Sequence, residues 1–204
     1  MVPVWPGLLV LMLAAMPEAV QALLAWDRAA IGAGEWWRLW SGHFVHFGWL
    51  HAAADGGVLL AAAVYAPRAK SGPRAARLSV LALVLAPVLL SATLWAALPG
   101  MAAYRGASGL AAMAVVAVCV AWLRAEPGSG TARRLSVVCL LALLGKVLLE
   151  IGGGPAGGVL PPEVIVAWPA HAVGALLGLA WALVLPRSVG EERGDGVERV
   201  EGAA

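Results

Sequence analysis

A serine, two histidines and an aspartate lie near the beginnings of three apolar runs. Ser108 lies in the stretch YRGASGLAAM, His51 and Asp55 open a second run at i, i+4 spacing, and His171 lies near the start of a third. A serine hydroxyl becomes a useful nucleophile when a base takes its proton, and a neutral imidazole is the most frequent base. We therefore consider Ser108 as a nucleophile and His171 as its general base.

The elements that carry these residues are predicted to span a membrane. Of the 204 residues, 61% are apolar and 13% are charged, whereas roughly 25% are charged in a soluble domain. Runs approaching the about 20 residues that a span requires cover 4–25, 50–66, 78–98, 108–123, 135–150 and 165–185. We predict an all-α membrane protein with six transmembrane helices in residues 1–186 and a disordered cytoplasmic tail over 187–204.

Lysines and arginines are distributed unequally between the loops. Ten follow runs two, four and six, namely Arg68, Lys70, Arg74, Arg77, Arg124, Arg133, Arg134, Arg187, Arg193 and Arg199. The opposite loops contain Arg28, Arg38 and Arg105. By the positive-inside rule, both termini are predicted to be cytoplasmic, and segments 26–49, 99–107 and 151–164 to face outward. Runs two, four and six then begin on the outer side, which places the polar residues of the first paragraph at one depth.

Small residues on runs four and six favour a close contact between these two helices. Gly174 and Gly178 follow His171 at i+3 and i+7, on the same helix face. Gly109 and Ala112 offer a matching face on run four. Because small faces let membrane helices approach closely, this contact is predicted to bring His171 to the serine.

The sequence favours a catalytic dyad over a triad. No acidic residue is suitably placed near His171, since Glu163 lies eight residues upstream. Lys146 and Glu150, an i, i+4 pair on run five, are interpreted as neutralising each other. Gly106 leaves the backbone free to turn before the serine, and amides at the helix start could bind a developing oxyanion.

The aromatic segment GEWWRLWSGHFVHFGWLH is interpreted as a structured element in the outer interface. Arg38 is expected to anchor it to backbone carbonyls or to Glu35. His43 and His46 are expected to form interfacial hydrogen bonds. These two histidines with His51 and Asp55 could bind a metal, but no HExxH motif is present. We therefore expect neither a metal site nor another cofactor.

These pieces together resemble the rhomboid intramembrane serine proteases over residues 35–185. The resemblance rests on WWRLWSGHFVHFGWLH, on GASG of the fourth helix and on AHAVGALLG of the sixth. It implies that Ser108 is the nucleophile, that His171 is the general base and that His51 joins the Ser108 amide in an oxyanion hole. Rhomboids commonly have Asn where this chain has Asp55.

Three roles for Asp55 remain open at this point. A protonated Asp55 would donate to the oxyanion as Asn does. An ionised Asp55 would instead pair with His51 and orient it. In the third alternative, Asp55 faces a neighbouring helix or a water-filled cavity and takes no part in the chemistry.

The chain resembles most closely the rhombosortase subgroup, through its compact six-helix core and the stretch GKVLLE. This resemblance implies a bacterial inner-membrane enzyme that opens toward the periplasm. Its substrates would be secreted proteins with a C-terminal Gly-Gly motif, an apolar helix and a basic end, and an amine acceptor could make it a transpeptidase. The alternatives are a general rhomboid protease that cuts single-span proteins and a non-catalytic protein that binds membrane helices. Its partners are then substrate segments and the bilayer, and no basic patch with interleaved aromatics indicates nucleic acid.

Overall fold

The computed structural model describes residues 2–66, 73–125, 130–153 and 167–184. Its helices are α1 (Trp5–Ala14), α2 (Glu18–Leu24), α3 (Arg28–Gly32), α4 (Arg38–Ser41), α5 (Trp49–Tyr65), α6 (Pro73–Ala97), α7 (Ser108–Arg124), α8 (Gly130–Ile151) and α9 (Trp168–Val184). Two short strands are β1 (Trp26–Asp27) and β2 (Ala103–Tyr104). The predicted tail at 187–204 and most of segment 151–164 lie outside the described residues.

Helices α5 to α9 correspond to predicted runs two to six, with ends that differ by at most five residues. The prediction of one continuous helix over 4–25 is wrong, because α1 ends at Ala14 and α2 begins at Glu18. Pro17 stands at the break with φ −54° and ψ 147°. Proline lacks the N–H that a continuing helix needs and disfavours helical backbone in the preceding residue, so the chain turns there.

One stretch within the described residues, Arg77–Ala97 of α6, is by itself long and apolar enough to cross a membrane. The other apolar helices of the described part are shorter, at 10–17 residues, and comprise Trp5–Ala14, Trp49–Tyr65, Ser108–Arg124 and Trp168–Val184. The number of spans therefore remains a prediction from the sequence.

Helix α7 lies at the centre of the packed structure. It packs against α5, α8 and α9, and most of its residues from Gly109 to Cys119 are buried. Many of them are alanines, so the neighbouring helices approach the α7 backbone closely. The most enclosed element of the fold therefore begins at Ser108.

The strands β1 and β2 join the two segments that precede α3 and α7. They pair antiparallel, with Trp26 opposite Tyr104 and Asp27 opposite Ala103. No strand is predicted here from the sequence, because two-residue strands form through a contact between distant segments and leave no periodic pattern. The pairing fixes the chain four residues ahead of Ser108.

Arg38 anchors the aromatic segment, as the sequence predicted. Its Nε donates to Oε2 of Glu35 at 2.6 Å, and its Nη1 donates to the carbonyls of Ala22 and Ala25, both at 2.8 Å. The guanidinium is buried, so these bonds join α2 to α4 in the interior. This arrangement fixes the path of the chain toward the histidines that follow.

Candidate active site

Ser108 and His171 are in direct contact. The Ser108 Oγ lies 2.7 Å from His171 Nε2, across the interface of α7 and α9. Ser108 is the first residue of α7 and half-buried, whereas His171 is buried in the first turn of α9. At this distance the hydroxyl can donate to an unprotonated Nε2, which is the arrangement that activates a serine nucleophile.

Two glycines of α9 make this contact possible. A Cβ added to Gly174 would overlap the backbone of Gly109, and one added to Gly178 would overlap the backbone of Met113. The predicted approach of small faces is therefore present for Gly174, Gly178 and Gly109. Met113, and not the predicted Ala112, provides the second backbone contact. Any larger residue at either α9 glycine would separate the two helices.

Glu150 is a neighbour of His171 that was not predicted to belong to the site. Its Oε2 lies 2.6 Å from His171 Nδ1, and both side chains are 6% exposed. The expectation that no carboxylate accompanies His171 is therefore wrong. It failed because Glu150 is on α8, and only the packing of the helices brings it to α9. The available signal was a carboxylate in an apolar run, which is a functional candidate by default.

Lys146 accompanies Glu150, as its i, i+4 spacing predicted. Its Nζ donates to Oε1 of Glu150 and lies 3.4 Å from His171 Nδ1. The Lys146 side chain is 53% exposed. The pair thus does more than neutralise itself, because the second carboxylate oxygen remains directed to the imidazole.

Asp55 is an acceptor for the backbone just ahead of the serine. Its Oδ2 accepts a hydrogen bond from the Ala107 N–H at 2.9 Å and lies 3.1 Å from His46 Nε2 and 3.5 Å from His51 Nε2. Asp55 and His46 therefore both lie against the Ala107 amide, and His51 lies beside the same carboxylate. In this geometry Asp55 acts as an acceptor for the loop ahead of the serine, and its protonation state stays a prediction.

Gly106 contributes a backbone conformation to the site. Its φ is +148°, a value that favours glycine, and an added Cβ would lie 3.1 Å from His51 Cε1. The Gly106 N–H donates to the Gly42 carbonyl at 3.2 Å, so it is not available to an oxyanion in this structure. By contrast, the Ser108 amide is at the first position of α7, so no carbonyl one turn earlier in that helix accepts a hydrogen bond from it.

His43 and His46 are buried within the protein, and both form the hydrogen bonds that were predicted for them. His43 Nε2 lies 2.9 Å from Ser91 Oγ, and the Ser91 hydroxyl donates to the Leu39 carbonyl at 2.6 Å. The His43 Nε2–H is therefore the donor of the first bond. Burial lowers the pKa of the His43 imidazole to about 3, because desolvation disfavours its charged form. His43 thus joins α6 to the aromatic segment as a neutral residue.

His46, His51 and Asp55 are close enough to be tested as a metal site. Their ligand atoms lie within 4.8 Å of one another. However, the Ala107 N–H donates into this cluster, with His46 Nε2 at 3.2 Å and Asp55 Oδ2 at 2.9 Å. A cation between these atoms would face the positive end of that N–H. The residues therefore fit a hydrogen-bonded cluster better than a metal site.

Comparison with known proteins agrees with the geometry. A family model described as the Rhomboid domain matches residues 33–188. The match includes every residue of the site described above. No curated protein matches the chain significantly.

Proposed function

The chain belongs to the rhomboid family of intramembrane serine proteases, and from this premise we propose that it is an active endopeptidase with Ser108 as nucleophile and His171 as general base. The observation that carries the proposal is the 2.7 Å contact between Ser108 Oγ and His171 Nε2. Family membership makes the chain an integral membrane protein. The proposal adds the roles of these two residues.

The proposed reaction is acyl transfer to the serine. Ser108 Oγ attacks a backbone carbonyl carbon of the substrate while its proton passes to His171 Nε2. The peptide C–N bond then breaks, and the imidazolium gives that proton to the leaving amine. Water, deprotonated by His171, attacks the acyl-enzyme and releases the acid and the free serine. An amine in place of water would give a transpeptidase.

Stabilisation of the oxyanion is assigned to two donors. The Ser108 amide is at the N-terminus of α7, where the helix dipole favours negative charge. The His51 imidazole lies beside Gly106, immediately ahead of that amide. We assign no donor role to Gly106, whose N–H is bound to Gly42, or to Asp55, which is an acceptor.

For the substrates we propose the secreted proteins implied by the resemblance to rhombosortases. They would have a C-terminal tail with Gly-Gly, an apolar helix and a basic end. The basic end fits a tail that spans the membrane with its positive charges in the cytoplasm, following the same rule that orients this chain. Cleavage near the outer face of a bacterial inner membrane, with both termini of the enzyme cytoplasmic, would then release the protein to the periplasm.

Labelling with a fluorophosphonate tests the proposed nucleophile. The wild-type protein in detergent should bind the probe covalently, and Ser108→Ala should not. The matched control is Ser136→Ala, which removes a buried serine of α8 that lies outside the site. Equal labelling of the wild type and Ser108→Ala would contradict the assignment, and so would strong residual proteolysis in Ser108→Ala.

Co-expression tests the proposed substrates. A secreted reporter with a Gly-Gly, apolar and basic C-terminal tail should lose this tail with the wild-type enzyme and retain it with Ser108→Ala. The mass of the released protein distinguishes hydrolysis from transfer to an amine. An unchanged reporter, together with cleavage of unrelated single-span proteins, would instead indicate a general rhomboid protease.

A further inference from the structure

We propose that Glu150 is the third member of the catalytic group, a positioning residue that holds His171 with its proton on Nδ1, and that Lys146 keeps the Glu150 carboxylate oriented for this role. The inference rests on the proposed function, because it concerns the same serine and histidine. It extends the arrangement from a dyad on two helices to a triad on three.

The contacts of Glu150 divide between its two carboxylate oxygens. Oε1 accepts from the Lys146 ammonium, and Oε2 lies 2.6 Å from His171 Nδ1. A pair that only neutralised a lysine would need neither the second contact nor a side chain with 6% exposure. Carboxylates that close to an imidazole nitrogen form strong charge-assisted hydrogen bonds. The geometry thus gives Glu150 a partner on each side.

The second contact determines which nitrogen of His171 carries the proton. An ionised carboxylate can only accept, so Nδ1 must be the protonated nitrogen. Nε2 is then left with its lone pair directed at the Ser108 hydroxyl, 2.7 Å away. When Nε2 takes the serine proton, the resulting imidazolium keeps its Nδ1–H bond to Glu150, whose negative charge stabilises it. Glu150 itself takes up no proton.

Lys146 explains how a carboxylate is tolerated at this position. A buried carboxylate without a partner is costly, especially in a membrane. The Lys146 ammonium provides that partner from a side chain that is itself 53% exposed. An ammonium group has only hydrogen-bond donors. The group that the side chain at position 150 turns toward Lys146 must therefore be an acceptor.

The variant Glu150→Gln gives the proposal a specific expectation. The amide oxygen should turn to the Lys146 ammonium, which leaves the amide NH2 facing His171 Nδ1. Nδ1 then accepts, the ring proton moves to Nε2, and Nε2 can no longer take the serine proton. We expect kcat to fall by up to about 10⁴-fold, the size of effect seen when a triad acid is replaced by its amide, with little change in KM.

The ring nitrogens of His171 report the change directly. In protein labelled with 15N-histidine, the His171 signals are those lost from the spectrum of His171→Ala. In Glu150→Gln the protonated-type shift should pass from Nδ1 to Nε2. The double variant Lys146→Met/Glu150→Gln frees the amide oxygen to turn to Nδ1, so it should return the shift to Nδ1 and recover part of kcat.

The matched control is Leu149→Gln, which places the same amide at the neighbouring position of α8. Leu149 is 69% exposed. It should leave kcat and the His171 shifts unchanged. If Glu150→Gln yields no folded protein, Glu150→Asp replaces it. That variant keeps the charge for Lys146 but withdraws the carboxylate from His171 by one methylene, and it should also lower kcat.

Two results separate this inference from the proposed function. A kcat close to wild type in Glu150→Gln, or in Glu150→Asp where that variant replaces it, would overturn the triad, as would His171 shifts in Glu150→Gln that match those of the wild type. If Ser108→Ala abolishes turnover in the same experiment, the proposed function as a serine protease would still be supported. Full turnover in Ser108→Ala would overturn both.

Discussion

Oδ2 of Asp55 accepts a hydrogen bond from the backbone N–H of Ala107 at 2.9 Å, one residue ahead of Ser108. The carboxylate thereby connects α5 to the loop that leads into Ser108 at the start of α7. His46, from the aromatic segment, lies 3.1 Å from the same oxygen. Residues from three separate parts of the chain thus fix the position of the serine amide.

Changes at Asp55 should therefore lower the rate through the position of that loop. Asp55→Asn keeps an acceptor for Ala107 but loses the charge that attracts His46 and His51. Asp55→Ala also leaves the buried Ala107 N–H without its carboxylate. We expect kcat to fall about tenfold for Asn and about 10²-fold for Ala, the cost of a misplacement near 1 Å. Steady-state kinetics across the pH range would measure both.

The control for Asp55 is Ala54→Asn, which introduces the same amide at the exposed neighbouring position. It should keep wild-type turnover. Retained activity in Asp55→Asn that also extends to higher pH would show instead that Asp55 donates a hydrogen bond to the oxyanion. Wild-type turnover in both Asp55 variants would show that it takes no part in the chemistry.

The contact between α7 and α9 should tolerate no side chain at Gly174. In Gly174→Ala the new methyl group would overlap the Gly109 carbonyl, so α9 must move away and take His171 with it. We expect a loss of about 10²-fold in kcat and about 1–3 kcal/mol in stability. Turnover and thermal unfolding in detergent measure the two effects.

Gly57→Ala is the matched control for Gly174→Ala. Gly57 is in α5, where an added Cβ meets no atom within 4 Å, and alanine is the better helix former. This variant should keep its activity and be as stable as the wild type or more so. Equal behaviour of the two alanine variants would contradict the close approach of α7 and α9.

Arg28 should be important for stability without being part of the chemistry. Its guanidinium donates to the carbonyls of Leu94, Trp95, Leu98 and Met101, at 2.9–3.4 Å. Leu94 and Trp95 lie in the last turn of α6, and Leu98 and Met101 follow it, so Arg28 joins the end of α6 to the segment after it. Arg28→Ala should lower the free energy of unfolding by about 2 kcal/mol or more, as expected for hydrogen bonds to a charged group.

Arg28→Lys is the comparison for that change, since it keeps the charge but loses the planar fork of donors. Its stability should lie between those of Arg28→Ala and the wild type. Thermal unfolding with each variant in the same detergent measures this order. An Arg28→Ala protein that unfolds at the wild-type temperature would show that the four bonds contribute nothing.

Ser108 and His171 should behave as one unit. Ser108→Ala and His171→Ala are each expected to remove nearly all turnover, and the double variant should be little worse than either. The reason is that the base has no serine proton to accept when the hydroxyl is missing, and the hydroxyl is a poor nucleophile without the base. Losses that multiply in the double variant would show that the two residues act independently.

The sequence by itself determined helices α5 to α9 and the pair at the centre of the site, whereas the predicted continuous helix over 4–25 is divided at Pro17. Apolar runs of span-like length predicted α5 to α9, because such runs depend on local composition alone. The pairing of Ser108 with His171 was also predictable, since the orientation of the runs gave both residues one depth and the glycines beside them marked the contact face. The anchoring role of Arg38 was predictable as well, because Arg38 is a charged residue within an aromatic segment.

The tertiary structure alone decided which residues surround that pair. Glu150 reaches His171 because α8 and α9 pack side by side, and no spacing within either helix reveals which face of one meets the other. The same holds for Asp55 and His46. They come from two different parts of the chain and meet at the Ala107 amide, which belongs to a third. Composition and periodicity are local properties, whereas the neighbours of His171 and the position of the serine amide depend on contacts between distant segments.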